Sequence, residues 1–355
     1  MTPARLRSLR RDLLRWYDRN RRDLPWRRDC DPYRVWVSEI MLQQTRVAAV
    51  LDHYARFLRR FPTVQSLAAA REASVLTLWS GLGYYHRARR MHQAARVIVR
   101  ERSGKFPRTA EGWSTLPGIG RYTAAAIASI AFGEPVAVVD GNVERVLERL
   151  GIHGTQASPT DGRTLRQARG RDGGAATRES TWQLAQALLD RKRPGDFNQA
   201  TMELGATVCT PRAPQCLVCP LQRFCTYRGA DPPREQAARN RKDVRYSLAR
   251  NGSTVLLVRR ALDSSLMPGM WELPSLDQDS INGDAPLLRL RHSITDTDYR
   301  VVVFARELDQ LLPVDSARWV TRRQWEQLPL TGLTRKVLLR LSAESGGSRG
   351  ESKCR

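Results

Sequence analysis

The sequence predicts a multidomain chain, with an all-α N-terminal domain followed by a smaller α+β domain, and three observations carry that prediction. Apolar residues recur at helical spacing from Leu6 to Val208, four cysteines close that stretch, and beyond a Pro- and Arg-rich segment the pattern turns to strand-like runs. At 355 residues there is chain enough for two cores. The expected boundaries are a helical domain over 1–226 that includes the cysteines, a linker over 227–243, a second domain over 244–341 and a disordered Gly- and Ser-rich tail over 342–355.

Charge narrows the partner. The chain carries 59 basic against 36 acidic residues, a net charge of +23, which points to a polyanion. Only five of the 59 are Lys, and an Arg-biased codon pool explains that preference without explaining the excess over acids. Four of the six cysteines lie between Cys209 and Cys225, a clustering that excludes a secreted disulfide framework and favours a metal site in a reducing compartment. No apolar run approaches the roughly 18 to 20 residues of a membrane span, so no membrane partner is expected.

Along the chain, Leu6, Leu9, Leu13, Leu14 and Trp16 mark an Arg-rich surface helix, with a transit peptide as the alternative. Asp31 and Pro32 supply an N-cap and a first-turn proline for the next helix. That helix sets one carboxylate, Glu39, among Val35, Trp36, Val37, Ile40 and Met41. Ionised there it is costly unless paired, which makes it a candidate proton donor; alternatively it surfaces on the helix's polar side. Gln43 and Gln44 follow at a turn, and Thr45 is placed to cap the next helix, through Val50, Tyr54 and Phe57. A further helix through Val75 and Trp79 runs into Gly81-Leu82-Gly83-Tyr84-Tyr85, where two tyrosines beside a basic cluster suit base stacking or are simply buried at a helix start.

More specific is Leu116-Pro117-Gly118-Ile119-Gly120 between a short helical pattern and an Ala-rich one. Gly118 and Gly120 form a tight hairpin whose amides open onto a helix N-terminus, a grip for phosphate that reads no sequence. Val136 to Val139 then delivers Asp140 to the cap of a helix over 141–150. Residues 157–179 read as a loop insertion, and helices resume from Trp182 to Leu189 and from Phe197 to Val208. Cys209, Cys216, Cys219 and Cys225 offer four thiolates, suited to an iron-sulfur cluster or to zinc. In the second domain Tyr246 to Val258 is a hairpin about Asn251-Gly252, Tyr299 to Phe304 a strand and Trp325 to Leu341 a helix.

With the hairpin and cysteines together, the first 225 or so residues resemble the endonuclease III superfamily of helix-hairpin-helix DNA glycosylases. Leu24-Pro25-Trp26-Arg27, Ser38 to Thr45, Gly81 to Tyr85 and Asp140-Gly141-Asn142-Val143 are similar to its MutY-type, adenine-specific branch. The resemblance implies a 4Fe-4S cluster on the four cysteines, with zinc as runner-up. It implies base excision repair by flipping adenine out of A:8-oxoguanine or A:G mispairs in double-stranded DNA and hydrolysing its N-glycosidic bond. Glu39 would donate a proton to the base, Asp140 would stabilise the oxocarbenium-like sugar electrostatically or bond to it transiently, and Tyr122 and Asn142 would position them. Gln44 and Tyr85 would fill the vacated stack, Gly118, Gly120 and Arg27 would hold DNA, and Arg22, Trp26 and Glu203 would line the adenine pocket. Bifunctional relatives carry a nucleophilic Lys where this chain has Tyr122, so cleavage of the strand is not expected.

The second domain resembles the Nudix-like domain that reads 8-oxoguanine, through Met267 to Pro274. No Glu-rich metal helix follows, so nucleotide hydrolysis is not expected. The reading loop departs from the family pattern: Ile294-Thr295-Asp296 stands where a Phe-Ser-His sequence is usual, so either Asp296 accepts the N7 hydrogen that distinguishes the lesion from guanine, or the loop has lost its reading role and the enzyme acts less selectively. A monomer working on the bacterial nucleoid in the cytoplasm is the matching expectation. The competing readings are a pyrimidine-damage glycosylase with lyase activity and a non-catalytic DNA-binding iron-sulfur protein.

Overall fold

Asp31 sets the start of the helix that matters most. Its side chain accepts the backbone N–H of Arg34 at 2.9 Å, Pro32 fills the first turn, and the helix Pro32–Leu42 follows. In the computed structural model, residues 1–151, 173–227, 229, 239–264, 266–277, 285–294, 297–306 and 316–346 are described. The helices in chain order are α1 Pro3–Asn20, α2 Pro32–Leu42, α3 Val47–Arg60, α4 Val64–Ala68, α5 Glu72–Trp79, α6 His86–Arg102, α7 Ala110–Ser114, α8 Arg121–Phe132, α9 Gly141–Leu150, α10 Gly173–Leu188 and α11 Pro194–Thr207. Strands β1 Asn240–Asn251, β2 Thr254–Arg259, β3 Trp271–Glu272, β4 Leu288–Ile294, β5 Thr297–Arg306 and β6 Ala317–Thr321 follow, then helices α12 Arg322–Trp325 and α13 Gly332–Gly346.

These elements form two units. The first comprises Met1–Gln44, Thr63–Gln65 and Gln93–Pro233; the second comprises Thr45–Pro62, Ser66–His92 and Arg234–Arg355. The helical segments 45–62 and 66–92, expected in the first domain, group with the C-terminal sheet, and within the expected linker residues 228 and 230–238 lie outside the described residues.

The first unit's core joins Leu9, Leu13 and Tyr17 of α1 to Val143, Leu147 and Leu150 of α9, Leu188 and Leu189, and Phe197, Ala200 and Leu204 of α11. Helix α2 is apolar on nearly all sides and is correspondingly enclosed, with Val35, Trp36, Val37, Ile40 and Met41 buried. Trp36 packs 5.8 Å from Trp113, which in turn stacks on Phe106 at 5.7 Å. Two glycines permit close helix contact. A Cβ on Gly195 would lie 2.6 Å from the carbonyl oxygen of Ser129, and one on Gly205 would lie 2.7 Å from the Asn142 Cβ.

In the second unit the sheet order is β3-β2-β1-β5-β4, with β6 also paired to β2. The central β1 and β5 run parallel, Val244 opposite Val301, while β4 and β5 are antiparallel, Arg291 opposite Arg300. Strand alternation sends Tyr246, Leu248, Leu290, Val301 and Val303 to a core shared with Val337 and Leu341 of α13. The opposite positions hold Arg245, Arg289, Arg291 and Arg300. These, with Lys336 and Arg340, border a cavity of about 1080 Å³.

Some local expectations are corrected. Arg46, not Thr45, stands at the N-cap of α3, and it makes no side-chain cap bond. The expected helix from Trp325 to Leu341 is two helices, separated around Pro329, whose ring and missing N–H do not suit a helix interior. Helix α10 starts at Gly173, within the span read as a loop; 152–172 lie outside the described residues. Helix α13 continues into the segment expected to be a tail. Ile294 ends β4 opposite Thr297, and Thr295 and Asp296 lie outside the described residues.

Candidate active site

Glu39 does not surface. It is 7% exposed, enclosed by the apolar body of α2, and its closest recorded partner is the Tyr122 hydroxyl, which donates to Glu39 Oε2 at 3.2 Å. Burial pushes its carboxyl from 4.5 up to about 7; the Tyr122 hydrogen bond opposes the rise, the nearby Asp140 charge adds to it and Arg27 opposes it. The same burial, with the charges of Glu39 and Asp140, raises the Tyr122 hydroxyl well above its ordinary value, so it stays a donor. Tyr122 is the second residue of α8, and the Met202 sulfur of α11 also lies 3.2 Å from its oxygen.

Asp140 is fixed by the helix it caps. Oδ1 accepts the backbone N–H groups of Asn142 at 2.9 Å and Val143 at 2.8 Å, and Oδ2 accepts Asn142 Nδ2 at 2.9 Å. Arg145, which sequence reasoning missed, donates from Nη2 to Asn142 Oδ1 at 2.9 Å, and so fixes which end of the amide faces Asp140. Its signal was legible in principle: it lies three residues after Asn142, one helical turn on. The same guanidinium bonds the carbonyls of Gly205 and Cys209, tying α9 to α11.

The three residues expected around the base divide. Glu203, 1% exposed, meets Arg22 in a two-pronged pair of 2.6 and 2.7 Å and Arg27 Nη2 at 2.9 Å. Burial alone would raise its carboxyl, but the hydrogen bonds and charges of the two arginines outweigh it and hold the group near 2. Trp26 is buried in the turn Pro25–Arg27. Arg27, expected at the DNA surface, turns its guanidinium onto Glu203 and over the Tyr17 ring at 5.7 Å.

The hairpin has the geometry a phosphate needs. Gly118 turns with φ +78°, and Gly120 caps α8 with no side-chain cap bond to the helix amides. Gln44 is exposed with φ +55°, while Gln43 donates to Thr123 Oγ1 at 3.0 Å. The tyrosine pair behaves unequally. Tyr85 is buried, with its hydroxyl on the Leu330 carbonyl at 3.0 Å, which does not fit a ring that fills a base stack. Tyr84 is half-exposed with φ +47°, a conformation costing roughly 1–2 kcal/mol for a residue with a side chain. The Arg87 guanidinium lies over its ring at 5.4 Å and bonds the Gly83 carbonyl at 3.2 Å.

Cys209, Cys216, Cys219 and Cys225 are all free thiols near one another. Burial pushes the Cys219 thiol up to about 11, and the other three cysteines add to the rise in the order Cys209, Cys225, Cys216. Arg149 brings a compensating cation, with Nη1 3.3 Å from the Cys209 sulfur. Among the described residues no group of three or more His, Cys, Asp or Glu side chains is disposed to hold a single metal ion. Tetrahedral zinc, at a Zn–S distance of about 2.3 Å, needs its sulfurs within about 3.8 Å of one another. The donor chemistry is soft and suits iron-sulfur ligation.

Residues 37–170 match the HhH-GPD superfamily of base excision DNA repair proteins. The adenine DNA glycosylase of Mus musculus is 37% identical over 433 residues, an alignment covering 99% of this chain and 81% of the mouse protein. The chain belongs to the adenine DNA glycosylase family. The Homo sapiens adenine DNA glycosylase is 36% identical over 94% of this chain, and that of Mycolicibacterium smegmatis is 43% identical over 64%. Among solved structures, a thermostable thymine-DNA glycosylase aligns with a TM-score of 0.53 at 27% identity, over 63% of this chain and 96% of its own. A trapped endonuclease III-DNA covalent intermediate aligns at 0.51 and 22% identity, a likeness of fold. The chain is thus a base excision repair enzyme, an adenine DNA glycosylase with an endonuclease III-like helical domain and a separate C-terminal domain that contains a sheet. The family's activity, with Tyr122 in place of a nucleophilic Lys, leaves the lyase and binding-only readings without support.

Proposed function

We propose that this adenine DNA glycosylase acts on adenine opposite 8-oxoguanine or guanine, with Glu39 as general acid and Asp140 as the carboxylate that stabilises the developing sugar cation. The observation that carries the reading is a buried carboxyl pushed to about 7, bonded to Tyr122 and within the electrostatic reach of a second carboxylate. Adenine leaves poorly as an anion. Protonation by Glu39 lets the C1′–N bond break with its electron pair going to the base, and Asp140 meets the positive charge left on the sugar. Water then adds to C1′ and gives up a proton, which restores Glu39; no strand is cut.

Tyr84 and Gln44 are the better candidates for the vacated stack, because both are accessible and Tyr85 is not. The Glu203–Arg22–Arg27 cluster forms one wall of the adenine pocket as a fixed charged structure, and its paired carboxylate is unsuited to proton donation. The hairpin amides and the open arginines of the sheet face supply phosphate contacts. The cysteines are proposed to hold a 4Fe-4S cluster, which would fix the segment 209–225 and take no part in the bond cleavage. Visible sulfur-to-iron absorption in the purified protein supports that assignment, and a colourless zinc protein refutes it.

The C-terminal domain is proposed to be Nudix-like and to read the opposite base through residues 294–296, which lie between β4 and β5 in sequence. The protein is proposed to work as a monomer on the bacterial nucleoid in the cytoplasm. Excision rates measured on duplexes with 8-oxoguanine or guanine opposite adenine test the reading. Faster excision opposite 8-oxoguanine, reduced by Asp296→Ala, is expected; equal rates on the two duplexes remove the lesion preference.

A further inference from the structure

Two hydroxyls converge on one carbonyl in the second unit. Ser80 Oγ donates to the Leu330 oxygen at 3.2 Å and Tyr85 OH donates to it at 3.0 Å, so both lone pairs of that oxygen are used. Leu330 itself is fully buried and held. Trp271 N donates to the Pro329 carbonyl and Thr331 N to the Trp271 carbonyl, each at 2.9 Å, which fastens the acceptor to the start of β3. Two further contacts flank these: Thr77 Oγ1, whose one O–H is shared between the Ala73 carbonyl at 2.8 Å and the Gln327 carbonyl at 3.0 Å, and Arg89 Nη2, which donates to the Pro268 carbonyl at 2.5 Å.

All four donors belong to the stretch 77–89, two before and two after the loop 81–84, and all their acceptors are backbone carbonyls of the sheet-bearing C-terminal segment. Between the donors the loop takes up φ +109° at Gly81, +71° at Gly83 and +47° at Tyr84. Within the loop the Gly83 carbonyl accepts from Trp79 Nε1 at 3.1 Å and Arg87 Nη2 at 3.2 Å, and the Leu82 carbonyl from Arg87 Nη2 at 3.2 Å, partners that lie in the same two flanking segments, so the position of the loop follows those flanks. The bonding pattern also accounts for Tyr85, a buried phenol that the excision chemistry does not use.

We propose that Ser80 and Tyr85 are positioning residues through which the C-terminal domain governs how Tyr84 is presented to the duplex, so that the base opposite adenine alters the rate of excision. This rests on the reading that the C-terminal domain senses that base. Contact of the domain with its preferred base and placement of the loop are then linked equilibria, each favouring the other.

Full-length Tyr85→Phe and Ser80→Ala test it. Phe keeps the ring in its seat and removes only the O–H, and thermal melts report whether the fold is kept. Single-turnover excision is measured on duplexes with 8-oxoguanine or guanine opposite adenine. The ratio of the two rates is expected to fall about fivefold or more in each variant, through loss of the faster rate. An unchanged ratio overturns the proposal, as does a parallel fall of both rates, which marks mere structural support. A wild type with equal rates refutes the opposite-base reading and the coupling with it, whereas a discriminating wild type with equally discriminating variants refutes the coupling alone.

Discussion

The pH dependence of excision should follow Glu39. Its carboxyl rises from 4.5 to about 7 on folding, and at 1.36 kcal/mol per pH unit that is about 3 kcal/mol. A general acid must be protonated, so half the enzyme is competent near pH 7 and only about a tenth at pH 8. Single-turnover rates between pH 5 and 9.5 should therefore fall tenfold per unit on the alkaline side. Tyr122→Phe removes a hydrogen bond that favours the charged form, so its alkaline limb should lie at higher pH. Glu39→Gln should lower the rate by about 10²–10⁴ and abolish the limb. Stability supplies a second measurement. Because the folded value is raised, the associated stability is fully present below 4.5 and is lost as pH rises through about 7. Glu39→Gln should thus gain up to about 3 kcal/mol on the wild type across that window in urea titrations. A rate that stays flat from pH 7 to 9, or a limb that persists in Glu39→Gln, refutes the assignment.

Asp140→Asn keeps a residue able to cap α9, so its melting temperature should match the wild type while single-turnover excision falls about 10²–10³; a variant that unfolds early instead points to a capping role alone. Arg27→Met should cost about 2 kcal/mol at pH 7 by removing one charged hydrogen bond from Glu203. The Glu203 value is depressed, so that stability is present above 4.5 and disappears as pH falls toward 2, and the gap between wild type and variant in denaturant titrations should close in acid. Arg289→Gln and Arg300→Gln should each reduce the slope of log affinity against log salt for duplex DNA by about 1. Unchanged slopes leave the sheet face outside the interface.

Much of the site was legible because its signals are local. Asp31-Pro32 and Asp140 cap the helices expected of them, and the hairpin between Leu116 and Gly120 needs only its glycines. Residues brought together by distant segments were harder. Nothing near Arg27 says that its charge is spent on Glu203, 176 positions away, and although the step from Asn142 to Arg145 is local, the bond of Arg145 to the Gly205 carbonyl is not. The two tyrosines after Gly83 could not be told apart because positive φ at Gly83 and Tyr84 breaks the periodicity by which an inward residue is recognised. Helix α10 was hidden by its Gly173-Gly174 start, low in helix propensity, and β3 is two residues long, too short to show alternation.

The glycine at 205 gives α11 the character of a datum line. Glu203 faces the two arginines and, two residues on, Gly205 touches the first turn of α9; the helix rise of 1.5 Å per residue separates them by only about 3 Å along the axis. An added methyl at 205 would sit 2.7 Å from the Asn142 Cβ, where 3.4 Å begins ordinary contact, so the first turn of α9 would have to yield by about 0.7 Å. That exceeds the roughly 0.5 Å tolerance of a working catalytic arrangement. The registration of Asp140 that the proposed mechanism requires is thus stored in a missing atom, and a methyl group added far from the bond that breaks would put that mechanism out of gauge.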